Sequence, residues 1–167
     1  MPKLIDQCAL DNWTALNAAT ANLGVEAGGE CGRAVLTFDK AASGTLAAAG
    51  AYKLLTTKQA LHAGGGSPQN QYVCWVFQAS ALTDIASVTL RLGTSASHYN
   101  EWTVADTALT AGGCVCQVRR GNCARTGNGC NYSEITYIAV TVNFDAVGNT
   151  LANMQVERIE LLDAGEL

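Results

Sequence analysis

The clearest pattern in this chain is alternation. In Ile135–Phe144, Thr136, Ile138, Val140, Val142 and Phe144 fall on one side of an extended backbone, and Ile135, Tyr137, Ala139, Thr141 and Asn143 fall on the other. A repeat of two is the side-chain period of a strand, so this segment predicts a strand with an apolar face against a core. Val88, Leu90 and Leu92 alternate with Thr89 and Arg91 in the same way. Val73, Trp75 and Phe77 alternate with Cys74 and Val76, which are apolar too, so that strand is expected to be buried on both sides. Shorter candidates are residues 34–38, 51–56, 99–104, 114–118 and 154–162, with a weaker first strand or two in 13–25.

The breaks between these segments are rich in turn formers: 63–68 (Ala-Gly-Gly-Gly-Ser-Pro), 110–113, 127–129 and 147–149. Residues 15–21 and 41–51 are rich in alanine and small residues, but neither carries a capped 3.6-residue apolar stripe, so both read as loop or irregular strand. About eight or nine strands with few helical signals predict an all-β sandwich or barrel. The 167 residues suit one domain, spanning 1–167, with a core large enough to stand without staples. The 17 glycines and 2 prolines suit strands joined by glycine-containing turns.

Charge narrows the function. Only 14% of residues are charged, and the net charge of -4 gives no electrostatic reason to hold nucleic acid. The stretch 107–133 departs from this: it holds Arg119, Arg120 and Arg125 and no acidic residue. It reads either as a solvated basic loop or as a docking patch for an acidic partner. No run of about 18 apolar residues exists, so no membrane-spanning helix is expected. Residues 1–6 lack the apolar stretch of a secretory leader.

Seven cysteines are many for a chain without such a leader: Cys8, Cys31, Cys74, Cys114, Cys116, Cys123 and Cys130. A protein made in a host cytoplasm and released by lysis reconciles the two. Cys114 and Cys116 project to the same side of a strand and are not expected to bridge each other. Two disulfides tying them to Cys123 and Cys130 are the first reading; a four-cysteine metal site and free thiols are the alternatives. Cys8 and Cys31 flank the first strand and form a further candidate pair, and Cys74 reads as a buried free thiol.

Catalytic chemistry finds little footing. The two histidines, His62 and His98, both read as turn residues, and no phosphate-binding loop, dinucleotide fingerprint or zinc-protease helix occurs. No enzyme is expected. Tyr99, Glu101 and Trp102 form a candidate ligand platform, with core or interface packing as the bland reading.

The order of segments carries a resemblance. Trp13 comes first, followed by residues 32–39 (Gly-Arg-Ala-Val-Leu-Thr-Phe-Asp), 72–77 (Tyr-Val-Cys-Trp-Val-Phe), 82–93, then 97–102 (Ser-His-Tyr-Asn-Glu-Trp), and the chain closes with 135–144 and 156–163. This resembles the jelly-roll β-sandwiches of the galactose-binding-like and carbohydrate-binding-module type, modules that also occur in bacteriophage virion proteins. The resemblance implies two antiparallel sheets, a hairpin through 92–102 and a last strand paired near the first. It also implies a structural calcium ion, for which Asp39 and Asp163 are candidates; no other cofactor is expected.

Two functions follow. The first is a virion protein, a capsid decoration (cement) protein or fibre component, acting as a homotrimer on a capsid or tail protein; low charge and small, easily desolvated surface residues favour such association. The alternative is a carbohydrate-binding module for adhesion or receptor binding. Either way, far-ultraviolet circular dichroism is expected to show less than roughly a fifth helix, against about a third in typical domains.

Overall fold

The computed structural model describes residues 3–10, 12–29, 32–61 and 70–163. The Cys31, His62 and 63–68 expectations therefore lie outside the described residues. Among the described residues 61% are in strands and none is in an α-helix. The strands are β1 (Lys3–Asp6), β2 (Thr14–Ala15), β3 (Thr20–Ala27), β4 (Ala34–Lys40), β5 (Ala48–Gln59), β6 (Gln71–Gln78), β7 (Ile85–Ser95), β8 (His98–Ala105), β9 (Cys114–Arg119), β10 (Ala124–Thr126), β11 (Ile135–Phe144) and β12 (Leu151–Asp163).

They form two antiparallel sheets packed face to face. The first runs β3-β4-β12-β6-β9, with β1 also on β12; the second runs β10-β8-β7-β11-β5-β2. The first and last strands pair, Lys3 opposite Leu161. The long central strands are those whose alternation is strongest. The shortest ones, β1, β2 and β10, have no pattern of their own and are held by their neighbours.

The core lies between the sheets. Leu36, Phe38, Val73, Trp75 and Phe77 come from the first sheet and Leu90, Leu92, Trp102, Ile138 and Val140 from the second, all essentially closed to solvent. On β11, Ile138, Val140, Val142 and Phe144 enter this core as the alternation predicts. Ile135 enters it too, because the register slips between Ile135 and Tyr137 and inverts the alternation at that end.

Three polar groups link the elements. Lys40 is buried and its ammonium donates to the carbonyls of Ala41, Val147 and Asn149 at 2.6, 3.1 and 3.2 Å, joining the ends of two loops. Lys53 on β5 pairs with Asp6 on β1 at 2.6 Å, tying one sheet to the other. Asp6 also accepts from the backbone of Cys8, whose φ of 56° is left-handed. Arg120 donates to Gln71 at 2.5 Å, stacks on the Tyr132 ring at 3.7 Å, and accepts the Trp102 indole hydrogen at its carbonyl.

Gly50 marks a close approach in the second sheet: a Cβ there would stand 2.1 Å from the carbonyl oxygen of Val140 on β11. Backbone cannot yield as a side chain can, so Gly50→Ala is expected to destabilise by about 3 kcal/mol, roughly 6–12 °C in Tm. Gly44→Ala, where a Cβ meets nothing within 4 Å, is the control and is expected to stay within about 0.5 kcal/mol. Thermal or urea unfolding of the two variants checks the pair.

Candidate functional site: an aromatic sheet face

The outward face of the second sheet follows from the core. Since Leu90, Leu92, Trp102, Ile138 and Val140 point inward, their neighbours on the same strands point out. Cross-strand register then sets these outward residues side by side. Tyr99 on β8 lies opposite Gly93 on β7, which lies opposite Tyr137 on β11, which lies opposite Leu54 on β5. In the next row Glu101, Arg91, Ala139 and Tyr52 follow in the same strand order.

Three tyrosines thus meet. The Tyr137 ring is 6.1 Å from that of Tyr52 and 6.2 Å from that of Tyr99, tilted by 31° and 35°. Tyr137 is 2% exposed and supports the two outer rings, which are half-buried. Burial pushes its phenol pKa up, against the lowering effect of Arg91. Leu54, at 64% exposure, extends the apolar part of the face. Gly93 has no side chain to separate Tyr99 from Tyr137, and a Cβ there would stand 2.1 Å from the His98 carbonyl.

Between the outer tyrosines sits a charge pair. Arg91 Nε donates to Glu101 Oε2 at 2.5 Å, and the guanidinium lies over the Tyr99 ring at 5.0 Å. Burial works against the Arg91 charge, but the hydrogen bond and charge of Glu101 outweigh it and raise its pKa. The pair is about three-quarters buried, so both groups are oriented before any ligand arrives. Further down the face run hydroxyl and amide groups. Thr89 and Thr103 share a hydrogen bond, and Asn143 donates to Ser87 and Thr89. The hydroxyl of Thr141 is buried without a partner. Such a face offers flat apolar rings beside fixed donors and acceptors, which is the chemistry of a polyhydroxylated ligand.

The sequence candidates are distributed differently. Of Tyr99, Glu101 and Trp102, the first two lie on this face. Trp102 is 0% exposed in the core, because alternation sends it opposite to its neighbours. Tyr52, Tyr137 and Arg91 were missed as site residues. Their signal was their position opposite the core residues of their own strands, but only register brings three strands' residues together.

Arg119, Arg120 and Arg125 do not form one patch. Arg119 lies over Tyr72 of the first sheet at 5.9 Å, Arg120 is buried, and Arg125 folds onto its own loop, donating to the Asn128 carbonyl. His98 accepts from the backbone of Asn128 through Nδ1.

Asp39 and Asp163 do not share an ion site. Asp39 holds Asn22 and the backbone of Asn153 at 2.6 and 2.7 Å, two residues with left-handed backbone. Asp163 accepts from Gln71. The span of β12 from Asn153 to Asp163 separates them, roughly 30 Å at the rise of a strand. Among the described residues no three His, Cys, Asp or Glu side chains are grouped to hold a metal.

Among the described residues the disulfides expected between Cys114, Cys116, Cys123 and Cys130 are not formed: these four, with Cys8 and Cys74, are free thiols, and Cys31, the candidate partner of Cys8, lies outside the described residues. Cys114 and Cys116 share a face as expected. Their sulfurs are 3.9 Å apart, in contact but far beyond the bond length of about 2.05 Å.

The fold is a jelly-roll β-sandwich, and solved structures share it. The chain is similar to a family 11 carbohydrate-binding module from Clostridium thermocellum, solved with a β-1,3-1,4-mixed-linked tetrasaccharide. That match has a TM-score of 0.65 and 10% identity over 98% of this chain and 96% of that one. It is similar to a family 30 module of a cellulosomal cellulase of the same organism, with a TM-score of 0.64 and 11% identity over 98% of both chains. It also matches an exo-β-agarase at a TM-score of 0.61 and 10% identity, covering 96% of this chain but 24% of the agarase. No protein-family model matches the sequence, and no curated protein does.

Burial has a measurable consequence for the thiols. It pushes Cys130 up to about 12, since the thiolate is the form that burial disfavours. Only the thiolate alkylates, so labelling of Cys130 by iodoacetamide in the native protein is expected to be slow and to rise roughly tenfold per pH unit between about pH 8 and 10. Peptide mass spectrometry checks this; fast labelling of native Cys130 already at pH 8 would contradict it, and no label at Cys130 even in the unfolded, unreduced chain would reveal an oxidised sulfur.

Proposed function

We propose that this protein is a carbohydrate-binding module that holds a saccharide chain against the outward face of its second sheet. The observation that carries the reading is the pair of half-buried rings, Tyr52 and Tyr99, set on either side of the buried Tyr137 with the Arg91–Glu101 pair beside them. Tyr52 and Tyr99 stack on apolar faces of sugar rings. Arg91 donates to hydroxyls and Glu101 accepts from them. The pair is neutral as a unit, which suits an uncharged polysaccharide. The fold shared with modules solved as carbohydrate-binding proteins supports this over the virion role expected from composition. Binding and orientation, without turnover, are what the face provides.

Affinity electrophoresis and calorimetry against soluble mixed-linkage β-glucan, agarose oligosaccharides and a broad glycan array test the proposal. Retention by at least one glycan is expected, with Tyr52→Ala and Tyr99→Ala each weakening it at least tenfold, about 1.4 kcal/mol. Both rings are partly exposed, so Tm is expected to move by only a few degrees. Absence of binding to every glycan, or binding that ignores both substitutions, overturns the reading.

A further inference from the structure

The first sheet carries a feature that the aromatic face does not use. Along one edge β12 changes partner, from β4 at residues 151–156 to β1 at 159–161. Glu157 and Arg158 lie in the gap. On the other edge the register with β6 slips at the same point: Glu157 faces Val76, and Ile159 faces Trp75. Arg158 is the extra residue of this bulge. Its φ is 43°, a left-handed conformation that long side chains rarely adopt. Bulges re-aim side chains next to sites, and strained residues concentrate where a ligand is held.

Two cavities open beside this pair. One of about 500 Å³ has Leu4, Gln7 and Arg33 on its far wall, and one of about 310 Å³ has Val115 on its own. Glu157 and Arg158 line both. Glu157 is 5% exposed and is pressed by the loop before β4, where a Cβ on Gly29 would come within 2.9 Å of its Oε2. The Arg158 Nε is buried and lies 3.3 Å from Glu160 Oε1 without hydrogen-bond alignment, while the side chain as a whole is 41% exposed.

We propose that the larger of these cavities is a second binding site, separate from the aromatic face, and that it takes a single saccharide unit. The ligand class rests on the reading above; the site does not. Two guanidiniums, Arg33 and Arg158, oppose a cation, and the buried Glu157 carboxylate opposes an anion. A neutral polyol uses both, taking hydrogen bonds from the arginines and giving one to Glu157, while Leu4 meets its apolar edge. The larger cavity lies within the roughly 300–1,000 Å³ typical of small-molecule sites.

The strain at Arg158 makes the test sharp. Glycine adopts this backbone freely, so Arg158→Gly removes the guanidinium and the strain together. Isotope-labelled protein is titrated with the mixed-linkage tetrasaccharide and with whichever glycan the array selects, and its amide shifts are followed. Two independent sets are expected, one on β5, β8 and β11 and one at residues 33–34 and 157–158. Arg158→Gly is expected to raise Tm by a few degrees, weaken the second set at least tenfold and leave the first intact. The Tyr52→Ala, Tyr99→Ala double variant is expected to do the reverse to the sets. If the face amides move while the cavity amides stay still, or if Arg158→Gly leaves both sets unchanged, this second site is overturned and the proposed function stands. If no amide moves with any glycan, both fall.

Discussion

Strand β11 is hydrogen-bonded on both edges and apolar on both faces, and the position of the candidate site follows from that. A pleated strand turns successive side chains to opposite sides. Once Ile138, Val140 and Val142 are committed to the core, Tyr137, Ala139 and Thr141 have one place to go, the outward face beneath Tyr52 and Tyr99. A slip by one residue would exchange core and face completely. Register in the second sheet therefore serves stability and the proposed binding at once, and the burial of the inner residues, worth about 2–5 kcal/mol for each large aliphatic side chain by truncation, fixes it.

Polar groups do the remaining positioning. The Asp6–Lys53 pair and the contacts of Arg120 connect strands that belong to different sheets. They are buried, so breaking one partner would leave a charge stranded, a heavier loss than the pair's own net contribution. Lys40, with three carbonyls around its ammonium, closes the far loops as a metal ion would. These links leave the second sheet's outward face free of structural duty at its rim, where the half-exposed rings stand.

The two sheets handle their outward faces differently. The second presents rings and a neutral charge pair on regular strands, a surface suited to lying along an extended ligand. The first is interrupted at Glu157 and Arg158, and the interruption opens cavities in place of a flat face. A low charge of 14% over the chain fits both, because each relies on a few placed polar groups among apolar ones.

The sequence by itself determined the architecture. Alternation in residues 88–92 and 135–144 set which side of each strand faces the core, since burial of every second residue needs no partner to be specified. It also placed Tyr99 and Glu101 together, two apart on one strand. For Trp102 it left platform and core packing both open, and the pleat, which turns it away from Tyr99 and Glu101, puts it in the core. It left the three arginines of 119–125 as either a solvated loop or a docking patch, and β9, the loop after it and β10 carry them to different surroundings. Tyr52, Arg91 and Tyr137 stand far apart in the chain, and only the pairing of β5, β11, β7 and β8 makes them neighbours. The bulge at Arg158 was likewise invisible, because its cause is the exchange of β4 for β1 along the edge of β12. Local periodicity fixes direction within a strand; contact between strands depends on register, which the tertiary packing alone decides.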